Sequence, residues 1–306
     1  MTEKNGRRHN ISHIQRKLIP SYIFLIIMSF LSVFPLYWMF TAATNSSLEV
    51  AQGKIWFGTN LIENYNKLIA TDNLWQAMGN SVFYATVQTV CSLLICSLAG
   101  FGFELYHDKG KDRLFAVLLL AMMVPQVATL IPLFTMISRM KLLNTVWAFI
   151  IPGLSTPFLI MMFRQNSRNF PIDTMEAARI DGLSEIAIFF RMYFPMMKST
   201  YAAAAVITFM GAWNAYMWPR TVMKGNAVKT MPMLVANMSN GYAVDYGMLM
   251  LGVLFASLPT ILIFFLLQKQ VFGVGLDIIR QKRKLISGLP DMPDKHFRVF
   301  SFPDES

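Results

Sequence analysis

The chain has 306 residues, of which 55% are hydrophobic and only 14% charged, and its formal net charge is +10. A soluble domain carries roughly 25% charge, so this composition excludes an ordinary water-soluble fold and places the chain in lipid. The basic excess is explained by the charge asymmetry of a membrane protein beside anionic lipid, which leaves nucleic acid a poor second reading.

Six charge-free runs are read directly: Leu18 to Leu48, Leu74 to Phe103, Leu114 to Ser138, Leu142 to Phe163, Ser199 to Pro219 and Tyr246 to Gln268. Each holds an apolar stretch near the ~20 residues that a helix needs to cross ~30 Å of hydrocarbon, where unpaired backbone is forbidden. The expected fold is an all-α membrane protein with six transmembrane helices. If the N-terminus is cytoplasmic, 20 of the 27 Lys and Arg residues fall on the inner side and 7 on the outer. That asymmetry puts both termini in the cytoplasm.

The segment 1–17 is basic, polar and expected to be loose. The first span, about Ile19 to Phe40, starts at Pro20 and carries Pro35 as a kink site. Its apolar run is too long for a secretory signal core, so it reads as an uncleaved anchor. An outer loop follows, with Trp56, Tyr65 and then Trp75 suited to the membrane interface. Span two, about Val82 to Phe103, carries Thr86, Gln88 and Thr89, and also Cys91 and Cys96. Five residues apart, these cysteines point about 140° from each other on a helix, which excludes a disulfide or metal pair.

Span three, about Leu114 to Ser138, contains Pro125-Gln126 and Pro132, and span four, about Thr145 to Phe163, contains Pro152-Gly153 and Pro157. These prolines predict bends or breaks, tolerated in a bilayer where protein or water satisfies the freed carbonyls. The residues leave open whether the two spans line a passage or are kinked packing helices. Span five is rich in small residues, Ala202 to Ala205, Gly211 and Ala212, which permit close helix approach. It ends in Trp213-Asn214-Ala215-Tyr216-Met217-Trp218-Pro219. An outer loop with Met231-Pro232-Met233 leads to span six, about Gly247 to Leu267, and a basic tail closes the chain.

Between spans four and five lies Met175-Glu176-Ala177-Ala178-Arg179-Ile180-Asp181-Gly182-Leu183, running through Phe189-Phe190-Arg191 to Phe194-Pro195. Asp173 and Glu176 suggest a capping box, so a short helix is expected to begin there. It should end at Asp181-Gly182, where glycine supplies a left-handed backbone. Ser184 then caps a second helix bearing Ile186, Phe189, Phe190 and Tyr193, which stops near Pro195. Met175, Ala178, Ile180, Leu183, Ile186 and Phe189 are expected to form one apolar surface outside the membrane. Such a surface either binds a partner, packs on the protein's own inner face or lies on lipid.

This stretch resembles the EAA signature of the membrane subunits of binding-protein-dependent ABC importers, on Glu176-Ala177-Ala178, Asp181-Gly182 and Phe194-Pro195. The Phe34-Pro35-Leu36-Tyr37-Trp38, Ala43-Thr44-Asn45, Trp213-Asn214 and Trp218-Pro219 patterns are similar to the carbohydrate branch, the MalG-like permeases of maltose, lactose and arabinose type. The resemblance runs from about Leu18 to Gly275, and so implies a permease domain over 18–275 with a cytoplasmic tail over 276–306. It implies a sugar-translocating subunit of the bacterial or archaeal cytoplasmic membrane. The partners would be a second homologous permease, two ATPase domains and an extracytoplasmic sugar-binding protein. Glu176, Ala177, Ala178, Asp181, Gly182 and Leu183 would form the coupling helix and turn, with Glu176 facing a basic residue of the ATPase and Ala177, Ala178 and Leu183 in its cleft. The loop at Met231, Pro232 and Met233 would touch the binding protein.

Gln88, Gln126 and Asn214 are candidates for sugar hydroxyls along the passage, and Trp213 and Tyr216 for stacking on sugar rings. Each also has a packing or interfacial reading. At its end the chain departs from the family pattern: Gly273 and Gly275 are followed by Leu276-Asp277-Ile278-Ile279-Arg280 rather than a short glycine-rich finish.

No phosphate loop is present, since Gly53-Lys54 is followed by Ile55 and Lys229-Thr230 lacks the glycine. ATP with Mg²⁺ is therefore expected on the partner ATPase, and no cofactor on this chain. His9, His13, His107 and His296 all lie outside the spans, which also lack the buried Asp, Glu or Lys of many proton-coupled carriers. These features disfavour a membrane enzyme or a secondary carrier. A permease for a non-sugar solute is the alternative within the importer class.

Overall fold

A computed structural model describes residues 3–71, 73–106, 108–240 and 243–287, with side chains from residue 20 to residue 266 within those ranges. The described chain is helical. In order it comprises α1 (Glu3–Ala43), α2 (Ser47–Ala51), α3 (Leu61–Thr71), α4 (Leu74–Leu105), α5 (Lys109–Ala121), α6 (Gln126–Arg139), α7 (Val146–Ile150) and α8 (Pro157–Ser167). There follow α9 (Ile172–Ile180), α10 (Glu185–Ile188), a π turn at Phe189–Tyr193, α11 (Phe194–Met196), α12 (Lys198–Trp213), α13 (Met217–Val222), α14 (Met231–Ser239) and α15 (Tyr246–Ser287).

Three helical stretches are long and apolar enough to cross a bilayer unbroken: Pro20–Ala43, Leu74–Leu105 and Tyr246–Leu266. The pairs α5 with α6 and Val146–Gly153 with α8 make two further spans if each is counted as one broken helix. The expected breaks are therefore present, but not at every proline. Pro125 sits in the gap before α6 as its N-cap, and Pro157 opens α8, whereas Pro132 lies inside α6. A proline at the start of a helix removes a donor that had no partner there anyway. Span five is shorter than its apolar run: α12 has 16 residues, about 24 Å at 1.5 Å per residue. After a short break, α13 carries the Trp218-Pro219 signature. The arrangement is consistent with six membrane helices.

The N-terminal segment, expected to be loose, is helical backbone continuous with the first span from Glu3. Pro20 and Pro35 are both accommodated inside α1. The tail is helical to Ser287; side chains beyond residue 266, including the departure at 276–280, and all of 288–306 lie outside the described residues.

The chain divides into two compact units. One holds the segments up to Thr89, Val124–Leu154 and Phe209–Ile261, and the other Val90–Met123, Ser155–Thr208 and the part from Leu262 on.

In the first unit, the end of α1 is tied down by amides. Asn64 Nδ2 donates to the carbonyls of Ala43 (3.0 Å) and Asn45 (2.9 Å), while Asn45 Nδ2 donates to those of Thr41 and Trp56. Buried amides can hold a helix end only if carbonyls approach closely. Gly247 allows this, since a Cβ there would lie 2.5 Å from the Asn45 carbonyl oxygen. Most of α1 between Tyr22 and Leu36 exposes its apolar side chains, which in hydrocarbon carries no penalty.

The second unit has a core of Phe101, Phe163, Phe170, Ile188, Phe189, Tyr193 and Tyr201. Gly100 lets α4 meet α8, because a Cβ there would stand 2.6 Å from Phe163 Cβ and 2.8 Å from the Arg164 nitrogen. Ser167 Oγ and Tyr193 Oη share a buried hydrogen bond of 2.7 Å. Phe101 meets Tyr193 edge-on at 4.9 Å between ring centroids, in the T-shaped geometry that aromatic quadrupoles prefer.

Candidate functional site: the hairpin at 172–196

Helix α9 begins at Ile172 with Pro171 as its N-cap, and no side chain caps it. The expected capping box at Asp173 and Glu176 is therefore not formed. Pro171 fixes the entry backbone in an extended conformation, so Asp173 falls inside the first turn, where its charge favours the positive end of the helix dipole.

The C-terminus agrees with the expectation from Asp181-Gly182. Gly182 has φ +81°, and a Cβ added there would meet nothing within 4 Å. The Leu183 amide donates to the Ala178 carbonyl and the Gly182 amide to that of Arg179, both at 3.0 Å. This is the paired-bond end of a Schellman motif, with Leu183 and Ala178 as its apolar partners. Ser184 Oγ then accepts from the Ala187 amide at 3.3 Å and starts α10.

The second helix ends one residue beyond Pro195, at Met196, with Met197 (φ −93°, ψ 17°) as a break before α12. Pro195 lacks an N–H and would crowd the Arg191 carbonyl in an α register. The backbone widens into the π turn Phe189–Tyr193, where the Phe194 amide reaches the Phe189 carbonyl, and the chain then runs on through α11 into α12.

The apolar set splits between two faces. Met175 (2% exposed), Ala178 (6%) and Phe189 turn into the unit's own core, against which Leu183 packs half-buried. Ile180 (87% exposed) and Ile186 (69%) point outward. Asp173, Glu176, Ala177 and Ile180, spaced 3, 1 and 3 apart, form the exposed stripe of α9. Ala178 therefore supports the helix from beneath and does not belong to the exposed face expected for it. Glu176 and Asp181 are exposed, and their side chains have no hydrogen-bond or ion-pair partner among the described residues.

An ion-pair brace absent from the sequence expectations stiffens the turn. Arg179 Nε donates to Glu185 Oε1 at 2.7 Å across Gly182, and Tyr106 Oη donates to Glu185 Oε2. The Arg179 guanidinium also lies 5.6 Å from the Tyr106 ring centroid, within cation–π range. Bonding from Arg179, and then from Tyr106, holds the Glu185 carboxyl below its ordinary pKa. Opposite charges six residues apart across a turn were a readable signal for the Arg179–Glu185 pair. Tyr106, 79 residues from Glu185, carried none.

The other sequence-derived candidates lie in the first unit, where Trp213, Met231 and Met233 face inward. Trp213 is buried (2% exposed), stacks on Phe209 and donates Nε1–H to the Ala256 carbonyl at 2.9 Å. It is a packing residue here and offers no ring face for a sugar. Asn214 is exposed, but its Nδ2 folds back onto the Met210 carbonyl. Gln88 is half-buried and lies over Gly153, where a Cβ would come within 2.0 Å of its Nε2. Gln126 is exposed at the start of α6, and Tyr216 is half-buried, 5.5 Å from the Arg220 guanidinium. Met231 and Met233 are buried, and the Met231 amide donates to Ser81 Oγ at 2.7 Å. A partner at this loop would not meet those two side chains; only Pro232 is partly open.

Residues 93–272 match the family described as "Binding-protein-dependent transport system inner membrane component". The chain is 42% identical over 259 residues to the lactose transport system permease protein of Rhizobium radiobacter, covering 84% of this chain and 95% of the relative. It is 30% identical over 275 residues to the arabinooligosaccharides transport system permease protein of Halalkalibacterium halodurans, covering 87% and 98%. Among solved structures, a bacterial ABC transporter involved in the import of the acidic polysaccharide alginate has the same fold. That chain matches with a TM-score of 0.75 at 18% identity, over 83% of this chain and 96% of the other. On the family match and on both relatives, the chain belongs to the binding-protein-dependent transport system inner membrane components, the membrane-embedded permeases of ABC importers.

Proposed function

We propose that this permease carries a sugar, a mono- or oligosaccharide, across the cytoplasmic membrane by alternating access, with its exposed hairpin receiving work from a separate ATPase. A component of this family is a transport subunit and not itself an enzyme, and the family implies ATPase and substrate-binding protein partners. The finer assembly proposed is one homologous permease beside this one, a pair of ATPase subunits holding ATP with Mg²⁺, and an extracytoplasmic sugar-binding protein. The distribution of Lys and Arg supports a cytoplasmic position for both termini.

The single supporting observation is the two-sided build of α9. One face is anchored in the core by Met175 and Ala178, and the other carries Glu176, Ala177 and Ile180 outward. An exposed isoleucine beside unpaired acids fits a cleft that is apolar at its floor and basic at its rim. Closure of the ATPase pair would draw such hairpins together and rock the spans between inward-facing and outward-facing states. Sugar as the cargo is supported by the lactose permease relative at 42% identity. Gln88, Gln126 and Asn214 remain the proposed hydroxyl contacts of the passage, and Tyr216 the proposed stacking ring.

The test is uptake of radiolabelled lactose and arabinose oligosaccharides into proteoliposomes holding the complete importer. ATP-dependent uptake of one of them that requires the binding protein is expected. Uptake that persists without the ATPase would mean a secondary carrier and overturn the proposal.

A further inference from the structure

The chain between Glu104, at the end of α4, and Asp112, in α5, holds two polar clusters at once among its described residues. On one side is Tyr106, bonded to Glu185 of the hairpin, with Lys111 Nζ 4.9 Å from its ring centroid. On the other side Arg164, at the end of α8, spans the segment from beginning to end. Its Nε donates to Glu104 at 3.1 Å and its Nη2 to Asp112 at 3.0 Å. Arg168 adds a longer contact to Glu104, at 3.5 Å.

The Arg164–Glu104 pair is mostly shielded, with side-chain exposures of 13% and 14%, and the guanidinium lies 4.1 Å from the Phe115 ring centroid. A shielded pair with further bonds on both partners has one favourable geometry, and removing one member leaves a charge without compensation. Below these contacts Gly100 lets α4 touch α8 closely, and Phe101 packs on Phe189 and Tyr193. The segment is thus fixed to the hairpin through Tyr106 and to the foot of α8 through Arg164.

We propose that Glu104, Tyr106 and Asp112, the anchored residues of this segment, form a second mechanical element of the coupling apparatus, locking the hairpin and the base of α8 into one rigid body, with Tyr106 and Arg164 as its positioning residues. The inference rests on the hairpin being the ATPase contact. Force entering at Ile180 then reaches α4, α5 and α8 together, and not only α12, which follows the hairpin in the chain.

The test uses the complete importer in lipid nanodiscs. Spin labels are attached through Lys109→Cys and Thr174→Cys, both exposed and off the outward stripe of α9, in a Cys91→Ala, Cys96→Ala background. A locked body keeps the label distance within about 2 Å between nucleotide-free and ATP-trapped states; a change beyond about 5 Å overturns the proposal. In parallel, Tyr106→Phe and Arg164→Lys, which keeps a charge beside Glu104 but loses the fork that also reaches Asp112, are expected to leave the complex assembled and hydrolysing ATP while sugar moved per ATP falls by a factor of about 3 to 30. An unchanged ratio in both variants also overturns it. Failure of the underlying reading looks different: Ile180→Asp would then leave ATPase copurification unchanged.

Discussion

Replacing Gly182 isolates the conformational contribution of the turn from every contact around it. Gly182 sits at φ +81°, and the position where a Cβ would point is empty to 4 Å. A substituted residue therefore meets no clash and removes no packing. Its cost is that of holding an L-residue in the left-handed region, roughly 1–2 kcal/mol for alanine and more for a β-branched side chain. Asparagine tolerates this region and should cost least. A penalty of 1–2 kcal/mol lowers the population of the native turn by a factor of about 5 to 30 relative to its competitors. Apparent affinity for the ATPase falls in proportion to the competent fraction, if the turn melts locally. The assay is substrate-stimulated ATP hydrolysis of the reconstituted importer, titrated with purified ATPase subunit, for Gly182→Asn, Gly182→Ala and Gly182→Val. The expected order of half-saturating concentrations is wild type, Asn, Ala, Val. Equal values for Val and wild type, or Asn as impaired as Val, would refute the reasoning.

Four further outcomes are expected. Trp213→Phe keeps the stack on Phe209 but loses the bond to the Ala256 carbonyl, costing about 1–3 kcal/mol in thermal unfolding while sugar selectivity in uptake competition stays unchanged. Gly100→Val drives a branched side chain into Phe163 and the Arg164 backbone, with a loss of about 1–3 kcal/mol or more, read as reduced yield of folded protein by size-exclusion fluorescence. Ile180→Asp leaves thermal stability unchanged, because the side chain is solvent-facing, yet prevents copurification of the ATPase. For Glu185, the carboxyl is held below its ordinary value of 4.5 by Arg179 and Tyr106. Its stabilisation is therefore fully present above the ordinary value and is lost as pH falls through the lowered one. The stability difference between wild type and Glu185→Gln should stay constant from neutral pH to about 5.5 and close only below the ordinary carboxylate range.

Local signals were the legible ones. Charge-free runs of membrane length located the three unbroken spans and the two broken ones; Asp181-Gly182 with Ser184 marked the hairpin turn and the start of its second helix, because those depend on residues within one helical turn of the effect. The start of α9 was misread for the same reason in reverse. Asp173 looks like a cap, but Pro171 two residues earlier fixes the backbone first. The continuation through Pro195 depends on a π register that no short pattern announces. The apolar residues of the hairpin were recognisable as a set; Met175 and Ile180, five apart on one helix, point about 140° from each other, but which of the two faces turns to the core is set by what stands opposite in space. Tyr106 meets Glu185, and Glu104 meets Arg164, across 79 and 60 residues of chain, separations that no local pattern spans. Trp213, Met231 and Met233 sit in recognisable motifs, but their burial depends on groups from elsewhere in the chain, such as the Ala256 carbonyl that Trp213 bonds and the Ser81 Oγ that receives the Met231 amide.

Cysteine crosslinking from Ala177, on the exposed stripe of α9, reads the docking surface most directly. With Ala177→Cys in a Cys91→Ala, Cys96→Ala background, a short bifunctional reagent on the intact importer in native membranes should yield an adduct with the ATPase subunit. The yield should change with ATP. Adducts confined to lipid, or to the neighbouring permease, in a complex that still transports sugar would contradict the assignment of this face.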